Sequence, residues 1–292
     1  RSHYDRFRER VMFPIRDARG RVIGFGGRVL DKGEPKYLNS PETPVFHKGS
    51  ELYGLYEAKQ HKDSQSRMLL VEGYMDVVAL AQFGIPNAVA SLGTAATAAH
   101  FETLFRYCPE VVCCFDGDNA GRKAAWRALE NALETLADNK QVGFVFLPAE
   151  HDPDSFIRAF GKAEFDRLVA QAMPLSDFLL KELAQRCDLT SSEGKARLIY
   201  EAKPLLHKLP TPLLRLQLVK RLAEASGFAQ AEVERLCELK SYTPPPPPRA
   251  KRTAPSLTRN LLRIILHKPQ WATRLPTDCC PTRPSDRRCS AC

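Results

Sequence analysis

Met68-Leu69-Leu70-Val71-Glu72-Gly73-Tyr74-Met75-Asp76 is the stretch from which the rest of the chain is read. Four apolar residues make a run of strand length, a carboxylate stops it, and after a glycine a helix-like pattern takes over from Asp76 to Ala81. The order is strand, tight turn, helix. In an open parallel sheet the crevice beyond the carboxyl ends of the strands is where ligands bind, so Glu72 falls where chemistry is expected.

The same rhythm continues outward. Strands are predicted over residues 68–72, 88–91, 111–116 and 142–147, and helices over 76–83, 97–107 and 119–137. Alternating βα units predict an α/β domain, a parallel sheet covered by helices on both faces. Upstream, Val11, Phe13 and Ile15 alternate with other residues, Asp17-Ala18-Arg19-Gly20 supplies a turn, and residues 22–29 resume strand composition, which predicts a hairpin. Gly24-Phe25-Gly26-Gly27 lacks the helix and the last glycine of a nucleotide-binding fingerprint. Glycine inside a strand marks a bulge or a close backbone approach instead. Residues 34–49 read as a long loop rich in proline and polar groups; Arg28, Lys36, Asn39 and Lys48 around it are candidate phosphate or ribose ligands, or part of a plain solvated surface.

Downstream of Leu175 the pattern is helical throughout, with a capping box expected at Thr190 and Glu193. This predicts a helical bundle packed on the α/β domain. Pro244 to Pro248 are five consecutive prolines, an extended linker, followed by a short helical pattern over residues 257–266. After Pro269 periodicity ends, and a disordered tail is expected.

Composition bounds the function. The 292 residues are 43% hydrophobic, enough for a sizeable core. No apolar run approaches the roughly 20 residues of a membrane span, and no signal-peptide core follows Arg1, so a cytoplasmic location without membrane contact is expected. The first residue is not methionine, which suggests a piece of a longer chain. The formal charge of +9 divides unevenly: residues 1–67 carry 14 Lys and Arg against 9 Asp and Glu, whereas residues 68–174 carry 8 against 14. A basic segment beside an acidic one suits a surface for phosphates next to a site for cations. Of nine cysteines, Cys108, Cys113, Cys114, Cys187 and Cys237 lie in apolar or helical patterns and read as buried thiols. Cys279, Cys280, Cys289 and Cys292 have spacing that zinc could use, but no periodic core surrounds them, so no zinc site is expected there.

Three acidic groups fall at equivalent places: Glu72 ends the first strand, Asp116-Gly117-Asp118 ends the third, and Asp152-Pro153-Asp154 follows the fourth. Singly, each has a bland reading as a turn or a helix cap. Together at one edge of one sheet they would repel, and magnesium, a hard cation held by one or two carboxylates plus substrate phosphates, resolves the repulsion.

Glu72-Gly73-Tyr74-Met75-Asp76 and Asp116-Gly117-Asp118-Asn119-Ala120-Gly121-Arg122-Lys123-Ala124 resemble the two halves of the Toprim motif of primases, topoisomerases, certain nucleases and recombination proteins. Val11-Met12-Phe13-Pro14-Ile15, Gly24-Phe25-Gly26-Gly27-Arg28, Pro35-Lys36-Tyr37-Leu38-Asn39-Ser40, Phe46-His47-Lys48-Gly49 and Leu52-Tyr53-Gly54-Leu55 narrow the resemblance to bacterial replicative primases of the DnaG type, continuously from about residue 11 to 240. The resemblance implies a Toprim-type parallel sheet flanked by helices, with an N-terminal mixed α+β segment and a C-terminal helical bundle. The implied divisions are a basic subdomain to residue 67, the Toprim domain over 68–150, an acidic loop and helical subdomain over 151–241, a linker over 242–256, and a stub of the helicase-binding domain with the Cys-rich tail over 257–292. It implies synthesis of short RNA primers on single-stranded DNA, a nucleotidyl transfer. Glu72, Asp116 and Asp118 would be catalytic, and those three with Asp152 and Asp154 would hold magnesium, with manganese as a substitute. Arg28, Lys36, Asn39 and Lys48 would face nucleotide and template. Glu72 is compatible with metal ligation and with proton transfer. Implied partners are the DNA template, ribonucleoside triphosphates, the replicative helicase through the C-terminal domain, and single-stranded DNA-binding protein; zinc is expected only in a module preceding Arg1. The rivals are another Toprim enzyme, a topoisomerase or nuclease, and a non-catalytic DNA-binding scaffold. A topoisomerase would need a nucleophilic tyrosine on a further domain, and a scaffold would not need every acidic position filled.

Overall fold

The computed structural model describes residues 4–30, 33–239 and 257–274, and its first elements are the expected hairpin, β1 (Arg10–Arg16) antiparallel to β2 (Val22–Val29). Its turn is set by Asp17, whose carboxylate accepts the amides of Arg19 and Arg21 at 2.9 and 3.0 Å, and by Gly20 at φ 86°, a backbone state that disfavours a side chain. The loop expected over residues 34–49 contains a third strand, β3 (Tyr37–Asn39), which pairs with β2 through Gly26↔Asn39 and Arg28↔Tyr37. One face of this small sheet packs Phe13 and Ile15 against Phe46, Tyr74 and Leu92. A Cβ on Gly26 would lie 2.7 Å from the Tyr74 ring, so the glycine admits an aromatic ring and not a phosphate.

A short helix α1 (Leu55–Ala58) leads to the second sheet. There β4 (Arg67–Val71), α2 (Tyr74–Gln82), β5 (Ala88–Ala90), α3 (Ala98–Phe105), β6 (Glu110–Phe115), α4 (Asn119–Leu133), β7 (Gln141–Phe146) and α5 (Pro153–Ala170) follow the predicted alternation. The strand order is β5-β4-β6-β7-β8; all pairings are parallel until β8 (Met173–Pro174), a two-residue strand that runs antiparallel at the edge beside β7. Glu72 lies one residue beyond the end of its strand. Parity along the strands sorts the core into two layers, as the period of two requires. Met68, Leu70, Val111, Cys113 and Phe144 face one way, toward Phe101, Leu104 and Leu129; Leu69, Val71, Val112, Cys114 and Val145 face the other, toward Leu80, Phe156 and Phe165. All five cysteines expected as buried thiols are buried and free.

The first layer continues into α6 (Leu175–Arg186), α7 (Ser192–Lys208), α8 (Pro212–Ser226) and α9 (Gln230–Leu236). Phe178 of α6 packs on Phe144 and Phe146 of β7, with ring centroids 4.7 and 5.2 Å apart. The bundle is therefore joined to the sheet by core packing. At the start of α7 the cap is Ser191, whose Oγ accepts the Gly194 amide at 3.1 Å, and not the predicted Thr190. Asp188 engages both the amide and the hydroxyl of Thr190, which takes it out of the capping position.

The chain divides into two compact units, Arg1–Tyr242 and Thr243–Cys292. In the second, α10 (Leu257–His267) matches the predicted helix, and Pro269–Arg274, where the disordered tail is expected to begin, closes in a 3-10 turn. The proline linker and residues 275–292, with the four terminal cysteines, lie outside the described residues. Among the described residues no helix is long and apolar enough to cross a membrane.

Candidate metal and nucleotide site

Parallel pairing in register, Leu70↔Cys113 and Phe115↔Phe146, brings the chain segments after β4, β6 and β7 to one edge. The electrostatics record the result. Reduced solvation raises the pKa of Glu72, and the charges of Asp116 and Asp118 raise it further. Glu72 is exposed at the rim of a cleft, and the concave protein surface around it accounts for the lost solvation. Asp116, half-buried, is raised by reduced solvation and then by Asp152 and Asp118. Thus the charges of Asp116 and Asp118 reach Glu72, and those of Asp152 and Asp118 reach Asp116, across three loops.

Two of these carboxylates also have the bland role considered for them. Asp118 caps α4, its Oδ1 accepting the Gly121 amide at 2.7 Å, and Asp152 caps α5, its Oδ1 accepting the Ser155 amide at 2.7 Å. A cap uses one oxygen and leaves the other for a ligand, so the roles coexist. Asp154 is paired with Arg158 at 2.5 Å, a cation one helical turn away. The turn between Asp116 and Asp118 is packed to its limit. A Cβ on Gly117 would overlap the Leu147 carbonyl oxygen, and one on Gly121 would overlap that of Asp116. Only glycine fits either place.

Sequence reasoning did not select Asp76 as a site residue. It is 8% exposed, on the first turn of α2, and its two oxygens accept the amides of Gly73 at 3.0 Å and Asp154 at 3.2 Å. It thereby ties the Glu72 turn to the Asp152–Asp154 loop. Burial pushes its pKa to about 7, with Asp152 and then Asp116 adding repulsion against the two amide hydrogen bonds. Its place four residues after Glu72 was the available signal, but a first-turn acid in a helix reads equally as a dipole partner.

The donor set is all oxygen and suits a hard divalent cation. Among the described residues no three His, Cys, Asp or Glu side chains close into a ready-made cage. Beside Glu72 the cleft, of about 460 Å³, is floored by Leu70, Phe115 and Ala124 and rimmed by Lys123 and Arg127, two further cations not selected from the sequence.

Of the four predicted nucleotide- and template-facing residues, Arg28 and Asn39 lie on the N-terminal sheet, Lys36 in the connection before β3 and Lys48 in the loop after it. Arg28 and Lys36 both approach the Tyr37 ring, each 5.9 Å from its centroid, and the buried Arg28 Nε has no hydrogen-bond partner. Asn39 donates to the Leu92 carbonyl at 2.9 Å and accepts from the Tyr74 hydroxyl, which leaves one amide hydrogen for a ligand. Lys48 is half-buried, with its amide 3.3 Å from a Glu42 carboxylate oxygen.

Comparison with known proteins places this geometry. Three family descriptions match the chain: the N-terminal domain of the DNA primase catalytic core over residues 1–59, a Toprim-like domain over 69–157, and the DnaB-helicase binding domain of primase over 176–231. The DNA primase of Pasteurella multocida is 53% identical over 285 residues, covering 96% of this chain and 48% of the relative. A crystal structure of a DNA primase domain from Pseudomonas aeruginosa is 56% identical, with a TM-score of 0.78, covering 80% of this chain and 74% of that one. A DnaG primase catalytic domain bound to single-stranded DNA is 56% identical, with a TM-score of 0.75, covering 78% and 73%. A glutamate after one parallel strand and Asp-x-Asp after its neighbour, on this sheet order, make the central part of the chain a Toprim-type domain. With the primase core matched on its amino-terminal side as well, the chain belongs to the DnaG-type bacterial DNA primase family. The chain spans about half the length of the curated relatives it matches.

Proposed function

We propose that this chain supplies the carboxylate edge and part of the basic surface of a DNA primase, a nucleotidyltransferase that builds short RNA primers on single-stranded DNA. The observation that carries the reading is the charge of Asp116 and Asp118 acting on Glu72, and that of Asp152 and Asp118 acting on Asp116, on a Toprim-type sheet. Such an edge is costly unless a cation is part of its working state.

In this reading Glu72, Asp116, Asp118, Asp152 and Asp154 hold magnesium, or manganese in its place. Bound there, the ion would neutralise phosphate charge and ease ionisation of the attacking hydroxyl. Glu72, with its raised pKa, would take up the proton of the primer 3′-hydroxyl on its carboxylate as that oxygen bonds to the α-phosphorus of the incoming ribonucleotide and the α–β phosphoanhydride bond breaks, releasing pyrophosphate. Arg28, Lys36 and Lys48 bind the triphosphate of the incoming ribonucleotide and the template backbone, and the free amide hydrogen of Asn39 orients a sugar or phosphate oxygen. Tyr37, between Arg28 and Lys36, holds the two cations over one ring.

The proposed divisions are a basic subdomain to residue 67, the Toprim domain over 68–150, a helical subdomain to 241, a linker to 256 and a terminal segment to 292. Proposed partners are the DNA template, ribonucleoside triphosphates, single-stranded DNA-binding protein and the replicative helicase, at the replication fork in the cytoplasm. Helicase contact is supported by the family match over residues 176–231, within the helical subdomain.

The test is template-dependent incorporation of labelled ribonucleotides on single-stranded DNA with magnesium, for the 292-residue chain and a form extended at its amino end. Short RNA products support the reading. Nicking or relaxation of DNA without RNA synthesis would replace it with a nuclease or topoisomerase.

A further inference from the structure

His100 is fully buried, on the first turn of α3, far in sequence from every acidic residue of the site. Its hydrogen bonds leave it one tautomer. The Thr97 amide, an obligate donor, lies 3.1 Å from Nδ1, so Nδ1 carries no proton. Nε2 lies 3.1 Å from the Lys48 carbonyl, an obligate acceptor, so Nε2 carries the hydrogen. Burial lowers the His100 pKa, consistent with this neutral form. Thr97 completes the arrangement: its Oγ1 accepts the His100 amide at 3.2 Å and donates to the Gly49 carbonyl at 2.6 Å. The pair forms a helix-capping box in which histidine stands where Glu or Gln is usual, and the ring's second nitrogen reaches a different segment.

Both consecutive carbonyls of the Lys48–Gly49 stretch are therefore held by one helical turn. Glu42 engages the Lys48 amide on the other side. Helix α3 connects β5 to β6, and β5 pairs with β4, which ends one residue before Glu72. We propose that His100 and Thr97 are positioning residues that fix the Lys48 ammonium relative to the acidic edge, so that a nucleic-acid phosphate bound by Lys48 is held in register with the carboxylates. The inference rests on the reading of Lys48 as a template ligand and adds the device that places it.

Two substitutions divide the histidine's duties. In His100→Asn the side-chain oxygen reproduces the Nδ1 acceptor and keeps the capping box, but the side chain is too short to reach Lys48. In His100→Gln the amide reaches as far as Nε2 and restores the donor to the Lys48 carbonyl. The assay is anisotropy of a labelled single-stranded oligonucleotide with the 292-residue chain, as a function of salt between about 50 and 200 mM. Each phosphate neutralised contributes about 0.7 to the logarithmic salt slope for single strands. Lys48→Ala is expected to lower the slope by about that amount. His100→Asn and Thr97→Val are expected to lower it equally and to add nothing in the Lys48→Ala background, while His100→Gln keeps the original slope.

The slope separates this role from general stability, because partial unfolding lowers the active fraction without changing the number of phosphates each active molecule binds. If Lys48→Ala changes the slope and His100→Asn and Thr97→Val do not, the clamp is wrong and the template reading stands. If Lys48→Ala changes neither affinity nor slope, the template reading of Lys48 falls, and the clamp's role in binding falls with it.

Discussion

Asp118 performs two duties that substitution can pull apart. Its Oδ1 caps α4 through the Gly121 amide at 2.7 Å, and its charge acts on Glu72 and Asp116. Removing an N-cap side chain costs about 1 kcal/mol, within a range of about 0.5–2, whereas Asn ranks with Asp as a cap. Two smaller effects of the lost charge oppose each other: an anion at a helix N-terminus is favourable by about 0.3–1 kcal/mol, and its repulsion of two neighbouring carboxylates is unfavourable. Asp118→Asn should therefore leave stability almost unchanged without divalent cations. Asp118→Ala should lose about 1 kcal/mol, or about 2–4 °C in Tm for a unit of this size. Both should abolish the stabilisation that magnesium gives the parent protein and reduce nucleotidyl transfer. Thermal unfolding with and without magnesium, beside primer synthesis, reads all of these outcomes. If Asn unfolds as early as Ala, the cap assignment is wrong; if Asn keeps the full magnesium response, Asp118 is no ligand.

Three further expectations follow from the same geometry. Because folding raises the Asp76 pKa from 3.8 to about 7, the folded state binds its proton more tightly than the unfolded chain, so metal-free stability should fall as pH rises from about 4 to about 7 and level off above. Denaturant titrations at pH 5 and pH 7 should show this fall in the parent chain and a much flatter profile in Asp76→Asn. Gly121→Ala, normally a gain inside a helix, should destabilise because its Cβ overlaps the Asp116 carbonyl; a rise in Tm would mean that the turn relaxes freely. Phe178→Ala should cost about 3–5 kcal/mol, since Phe178 is 1% exposed and joins the bundle to β7. Urea titration of that variant should show a lowered midpoint, and an unchanged midpoint would detach the bundle from the sheet's stability.

Local chemistry made much of this legible. The apolar runs of β4, β6 and β7 each end at a carboxylate or a turn, and parallel order then follows from the intervening helices. What escaped depends on partners distant in sequence. β3 is three residues in a proline-rich loop, recognisable as a strand only through its pairing with β2, and β8 is two residues, one a proline, beside β7. Asp118 and Asp152 read from sequence as caps or as site carboxylates, and the fold makes them caps whose charges also act on Asp116. Asp76 looks like an ordinary first-turn acid until Asp154 donates to it across the fold. A lone histidine on an apolar helix face reads as core, and only the tertiary contact with the Lys48 carbonyl gives His100 a role.

The central claim is that the acidic edge is a cation site serving nucleotidyl transfer. Its most direct test is magnesium-dependent RNA primer synthesis on single-stranded DNA by the amino-terminally extended core and by its Glu72→Gln and Asp116→Asn variants, with unfolding temperatures measured in parallel. The account predicts that both variants fold and make little or no primer. Undiminished primer yield from either would contradict it.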